Sequence, residues 1–312
     1  MNVLVTGGAG FIGSHLVDRL LRKGHKVICI DNFLLGKKIH LKNALKYEKF
    51  KIFDFDLLNI EDLDSIFRDN KFDFVYHLAA NSDIKAGVES TNRDLQLTFL
   101  LTYNVLECMR KYEVKKLLFT SSPTVFGNHK TALTEDLPMY PESLYGASKL
   151  ASEAFIRGFS TLYNIQSWIL RLSNMVGERT THGILFDFLH KVKTNKNELI
   201  VLGDGSQYKP YMYVHELIDC MFYVVDNSNE LINAFNVGPK DGVSVSDIAG
   251  MFLEQFGSGQ KIRYKGGKIG WKGDVPFYSH DSKKLNSLGW SPKLTSKEAV
   301  SEALINIKKS EA

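Results

Sequence analysis

The chain has 312 residues, 44% of them apolar and 24% charged, and its net charge is +4. That is enough apolar material for a full core, in one large domain or two smaller ones. The weak positive charge is dispersed, which argues against nucleic acid or a membrane surface as a partner, and no apolar run reaches transmembrane length. Cys29, Cys108 and Cys220 are far apart, lie among apolar residues and lack metal spacing, so buried thiols in a reducing, cytoplasmic setting are expected.

Taken in order, Asn2 to Thr6 is a short apolar run with the pattern of a buried parallel strand. Gly7-Gly8-Ala9-Gly10-Phe11-Ile12-Gly13 follows, then a helical pattern through Leu16, Leu20 and Leu21 that Gly24 is placed to end. Lys26 to Ile30 is a second strand, closed by Asp31 and Asn32. Glycines at 7, 10 and 13 between strand and helix allow a tight turn and a close approach of backbone to a diphosphate, with a helix N-terminus aimed at its charge. Asp31 suits a ribose diol and repels a 2′-phosphate, which favours NAD over NADP; Lys37 and Lys38 nearby read as a solvated loop. Phe50 to Phe53 is a third strand. Beyond it, Asp56, next to Leu57, either contacts an adenine or caps a helix beginning near Glu61. Phe72 to Leu78 is a fourth strand, and small Ala79 and Ala80 at its exit let a ligand pass close. His77 reads as a packed, hydrogen-bonded histidine, and His215 and His280 belong to no constellation, so no metal is expected. A long helix is predicted from about 94 to 112, then a fifth strand from Val114 to Thr120 leading into Ser121-Ser122-Pro123-Thr124.

Tyr145 and Lys149 stand four apart at the start of a helical pattern through Leu150, Ala154, Phe155 and Phe159, and so share one face. A tyrosine titrates near ~10, and an ammonium beside it favours the phenolate. The pair is therefore a candidate for moving a proton on and off an alcohol. Strands alternating with helices give an α/β, doubly wound parallel sheet of the Rossmann type, in which ligands gather at the carboxyl ends of the strands. Ser122 falls at such an end and can face Tyr145 across a cleft, donating to a substrate oxygen.

These landmarks, with Arg171-Leu172-Ser173-Asn174, Leu202-Gly203-Asp204-Gly205 and Gly273-Asp274-Val275-Pro276 further on, resemble in order those of the extended short-chain dehydrogenase/reductases of the sugar-nucleotide epimerase and dehydratase kind. The chain is most similar to the UDP-glucose 4-epimerases. The resemblance implies that Tyr145 is the acid/base, that Lys149 holds the nicotinamide ribose and lowers the phenol, and that Ser122 binds the reacting hydroxyl. It implies an NAD site at Gly7, Gly10, Phe11, Ile12, Gly13, Asp31, Asn32, Asp56, Leu57, Leu78, Ala79 and Ala80. It also implies a nucleotide-sugar substrate near Thr124 and Asn174.

Three departures bear on the reaction. The 4,6-dehydratases carry an Asp-Glu pair after the hydroxyl residue, where this chain has Pro123 and Thr124, so dehydration is not expected. Lys209 and Trp271 stand where the 4-epimerases place arginines that grip the diphosphate. Lysine lacks the bidentate fork, and tryptophan offers stacking instead. Arg179, Arg263 and Lys272 are possible substitutes or mere surface charges. The expected organisation is a Rossmann domain over 1–174, with later strands returning near 200–240, and a smaller, interleaved substrate-binding domain over 175–312. The helix near 94–112 and the one carrying Tyr145 are the pair that often builds a homodimer in such proteins. The expected activity is NAD-dependent inversion at C4 of a nucleotide-activated sugar through a 4-keto intermediate. A nucleotide-sugar reductase or dehydrogenase with net redox, or a silent NAD-sensing protein, are the alternatives.

Overall fold

Val3, Leu4 and Val5 show how the sheet is built. Val3 and Val5 pack into one apolar cluster and Leu4 into another, and all three are fully buried. Each such side chain contributes about 1.5–3 kcal/mol by leaving water. A strand apolar on both faces needs helices on both faces, which the crossovers of a parallel sheet supply.

A computed structural model of the chain describes residues 1–129, 131–270 and 275–311. Trp271, Lys272 and the Gly273-Asp274 pair lie outside the described residues. In chain order the elements are β1 (Asn2–Thr6), α1 (Phe11–Arg22), β2 (Lys26–Ile30), β3 (Phe50–Phe53), α2 (Ile60–Asp69), β4 (Phe74–His77), α3 (Ile84–Glu89), α4 (Thr91–Asp94), α5 (Leu101–Lys111), β5 (Lys116–Ser121), α6 (Leu144–Tyr163) and β6 (Gln166–Leu172). There follow β7 (Asn174–Val176), α7 (Ile184–Thr194), β8 (Glu198–Val201), β9 (Tyr208–Lys209), β10 (Tyr211–Tyr213), α8 (Val214–Asn227) and β11 (Ile232–Val237). The last are β12 (Val243–Ser244), α9 (Val245–Phe256), β13 (Lys261–Tyr264), α10 (Lys283–Ser287) and α11 (Ser296–Glu311).

The main sheet has seven parallel strands in the order β11-β6-β5-β4-β1-β2-β3. The order reverses between β1 and β4, and this topological switch is where such sheets bind ligands. A third apolar cluster lies apart from the two that flank the sheet. It joins Leu185 and Phe188 of α7, Phe252 of α9, and Val300 and Leu304 of α11. No described helix is long and apolar enough to cross a membrane, and the three cysteines are buried, free thiols.

The helix expected over 94–112 is interrupted. Leu95–Leu100 is wound as a π-helix between α4 and α5. The Asn81 amide donates to the Leu97 carbonyl at 2.8 Å, and its demand on that carbonyl competes with the helical ladder.

The helix carrying Tyr145 is fixed from below. Arg171, on β6, donates to both oxygens of Glu153, on α6, at 3.0 and 2.8 Å, with both side chains out of water. Ser121 at the end of β5 donates to the same carboxylate at 2.6 Å, and the Phe126 ring covers the guanidinium at 4.9 Å. Removing one partner leaves a buried charge uncompensated. We expect Glu153→Gln to cost about 3–5 kcal/mol of stability by urea denaturation. The double change Glu153→Leu with Arg171→Met should cost clearly less; a loss equal to the sum of the single changes would show that the pair does not act as a unit.

Candidate active site

The glycine loop is shaped by contacts that only hydrogen side chains permit. Gly7 has φ +69°, and a Cβ there would stand 2.8 Å from the backbone nitrogen of Ala79, at the exit of β4. A Cβ on Gly13 would overlap the Gly7 carbonyl oxygen. Gly7 thus brings the exits of β1 and β4 together, and Gly13 lets α1 start against the turn. Gly10 caps α1, so the helix's free N–H groups open into the cleft. A diphosphate fits this cradle because backbone donors and no side chain would meet it.

The cleft has a volume of about 750 Å³ and runs along the carboxyl ends of the strands. Every described residue expected from sequence to bind cofactor or substrate lines it, from Gly7 to Lys209. Asp31 is largely buried; its oxygens accept from the amides of Ala9 and Phe33, each at 2.8 Å. Burial pushes its carboxyl above the ordinary value, and the two amides offset part of that. Lys38 is drawn away to Asp54 at 3.0 Å, and Lys37 lies over the Phe186 ring, so neither answers Asp31. Asn32 donates to Asp56 at 2.9 Å, tying the ends of β2 and β3 together. The alternative role for Asp56 is excluded: Asn59 caps α2 by accepting from the Asp62 amide. His77 is packed as expected, between the hydroxyls of Thr6 and Thr102 at 2.7 and 2.9 Å, and burial pushes it down to about 3.

Ser143 caps α6, so Tyr145 and Lys149 fall in its first two turns, facing the end of β5. Gly146 is required there, because a Cβ would lie 2.5 Å from the Thr124 carbonyl oxygen. The Ser122 hydroxyl stands close enough to the Tyr145 phenol to act on its titration. Lys149 donates to the Thr120 carbonyl at 2.7 Å, and its Nζ lies 6.0 Å from the Tyr145 ring centroid. The expected lowering of the phenol by the ammonium is not found in the chain alone. Burial pushes Tyr145 up to about 12, with the Ser122 hydroxyl pulling the other way and Asp94 adding to the rise. Lys149 is itself pushed down to about 7 by burial, against the pull of Glu153 and Asp94. Asp94 was not anticipated. It is 1% exposed, accepts from the Asn81 amide nitrogen at 2.7 Å, and lies at the entry to the π-helical turn, which no local pattern announces.

On the other wall, Asn174 spends its amide on the Pro210 carbonyl and the Tyr278 hydroxyl, at 3.2 and 3.0 Å, which ties the backbone on that side together. Lys209 lines the cleft on β9, but Arg179 and Arg263 do not. Arg179 pairs with Asp18 at 2.8 Å and Arg263 with Glu198 at 3.1 Å. Among the described lining residues the lysines are Lys149 and Lys209.

The NAD dependent epimerase/dehydratase family model matches residues 3–238. The chain belongs to that family. A UDP-glucose 4-epimerase of Mycolicibacterium smegmatis is 29% identical over 314 residues, 97% of each protein. The crystal structure of the Thermotoga maritima UDP-glucose 4-epimerase with UDP-glucose superposes with a TM-score of 0.89 at 29% identity, over the whole of both chains. The UDP-glucuronic acid 4-epimerase of Bacillus cereus, solved with UDP-glucuronic acid and NAD, gives 0.88 at 27% identity, covering 99% of this chain and 100% of that one. NAD is the cofactor of this epimerase family, and the glycine cradle and Asp31 fit it.

Burial of Lys149 sets a pH-dependent cost. Its folded value, about 7, lies below the unfolded ~10.4, so between those limits the unfolded chain binds more protons and stability rises with pH. The penalty is fully present below about 7. In protein stripped of nucleotide, Lys149→Met is therefore expected to melt several degrees above wild type near neutral pH, with the gap closing as pH rises. A variant that melts lower at every pH would overturn this.

Proposed function

We propose that the chain inverts C4 of a UDP-activated sugar by transient oxidation to the 4-ketone, with Tyr145 as acid/base. The supporting observation is the meeting of Tyr145 and Ser122 in the cleft, with Lys149 one helical turn behind the phenol. Tyr145 takes the proton of the C4 hydroxyl and gives it back to that same oxygen once the ketone has turned its other face to the cofactor. Ser122 donates to the same oxygen, and Lys149 holds the cofactor ribose. NAD supplies the hydride acceptor and donor, and is regenerated each turnover. Pro123 and Thr124 offer no acid or base, so the ketone is not drained by loss of water. The relatives described above act on UDP-sugars, which favours UDP as the nucleotide. Lys209 would meet its diphosphate as a point charge.

We further propose a homodimer through α5 and α6. The buried side of these helices takes Leu101, Val105 and Phe159, while Phe155 is 41% exposed and rings with Phe99 and Tyr103 on the outer face. Closed two-fold pairs are the commonest assembly.

Purified protein should carry one NAD per chain, released by acid, and NMR should show UDP-sugar products inverted at C4 without added cofactor. Tyr145→Phe should lower turnover by ~10²-fold or more, and Lys209→Gln should raise KM far more than it lowers kcat. Turnover of Tyr145→Phe within a few-fold of wild type, or stoichiometric consumption of added NADH, would rule the reading out. Light scattering should give twice the chain mass for wild type and the chain mass for Phe155→Glu; a monomeric wild type would reject the pairing.

A further inference from the structure

We propose that His15, Glu178 and His215 form a binding site for a divalent transition-metal ion of the zinc class, outside the cleft. The residues are far apart in sequence, 163 and 37 positions from one donor to the next, which is why no spacing announces them. Three elements bring them together: the second turn of α1, the loop after β7, and the first turn of α8. One donor atom from each lies within 4.8 Å of the other two.

Geometry fixes the state of His15. The side chain is almost fully buried, and its Nε2 lies 3.1 Å from the Glu178 carbonyl oxygen. A carbonyl only accepts, so Nε2 carries the hydrogen. In the neutral ring the lone pair then stands on Nδ1, which faces the Glu178 carboxylate oxygen Oε1 at 3.9 Å. Two acceptors turned toward each other repel unless a cation stands between them. A metal-binding imidazole is held in the same way, with its outer N–H tied to a carbonyl and its inner nitrogen free for the ion.

The other two donors are similarly prepared. Glu178 Oε1 accepts from His215 Nε2 at 2.7 Å, and an ion would displace that proton and bind both atoms. The second carboxylate oxygen accepts from the Tyr213 hydroxyl at 3.1 Å, which orients the group. Arg179, the nearby cation, is occupied by Asp18 at 2.8 Å. The His15 and His215 rings stand edge to face with centroids 4.7 Å apart. Zinc–nitrogen bonds are ~2.0–2.1 Å, so the donors must close inward. His215, whose side chain is 43% exposed, can swing to do this and leaves room for a water as fourth ligand. None of the three residues lines the cleft, so the ion is a pin and not part of the reaction. It would tie α1, which bears the glycine cradle, to β7 and α8.

The test uses the untagged holoenzyme freed of metal by chelation, and zinc alone as the probe. Wild type should take up one zinc per chain by elemental analysis, and its Tm should rise by several degrees at saturation. His215→Ala and Glu178→Gln should each weaken binding by about tenfold or more, while turnover without metal stays at the wild-type level. No uptake by wild type, or equal uptake by wild type and both variants, would overturn the site. Should the variants fail to fold, the visible absorption of four-coordinate cobalt bound to wild type decides the matter, and a six-coordinate spectrum counts against it.

Discussion

The site depends on a lysine kept dry beside a tyrosine. Lys149 lies at the end of β5 with its ammonium against the Thr120 carbonyl and the Phe119 ring, and water is excluded. Burial favours the neutral amine, and the nearby carboxylates of Glu153 and Asp94 favour the charged one. Glu153 is in turn neutralised by Arg171. The balance leaves Lys149 near neutrality and Tyr145 well above it, so the two groups titrate in opposite senses to what proton abstraction needs. In the proposed reaction, a further positive charge in the cleft is required to tip the phenol toward its anion. On that reading, chemistry would be coupled to the presence of the oxidised cofactor.

That coupling is possible because the sheet reverses between β1 and β4. The Gly7 turn sits against Ala79 across the reversal, and the N-terminus of α1 opens at the same point. The glycine cradle, Asp31 and Tyr145 line one cleft along the strand ends, so a ligand lying there would span from the cradle to the phenol. Gly146 serves the same geometry: its missing side chain lets α6 approach the Thr124 backbone and brings the phenol to the hydroxyl of Ser122.

The features legible in the sequence were those carried by local spacing. Glycines at 7, 10 and 13, and Tyr145 with Lys149, act within one turn or one loop, so their positions predict their geometry. The alternation of strands and helices did the same for the parallel sheet. Ser122 opposite Tyr145 followed from the strand ends, but other contacts made across the fold were not legible. Asp94, which acts on Lys149, stands at the entry to the π-helical Leu95–Leu100 turn, where the Asn81 amide takes the Leu97 carbonyl. Nothing in the sequence marks Asp18 and Glu198 as the partners that hold Arg179 and Arg263 away from a substrate diphosphate. A four-residue spacing places the ammonium beside Tyr145 but carries no signature of the burial that raises the phenol.

Ser122 shows how a short loop selects one proton path. Pro123 fixes the first position of the short 3₁₀ turn, and Ser122 caps that turn with its own side chain. Its oxygen accepts from the Thr124 amide at 3.3 Å and the Thr124 hydroxyl at 3.0 Å. With both lone pairs engaged, the Ser122 hydroxyl can only donate. A donor aimed at the phenol oxygen stabilises its anion, which matches the direction of its effect on Tyr145. Acidic residues at 123 and 124 would remove the proline's constraint and the threonine's hydroxyl donor at once. The same two positions that withhold an acid and a base from elimination therefore also orient the Ser122 hydroxyl.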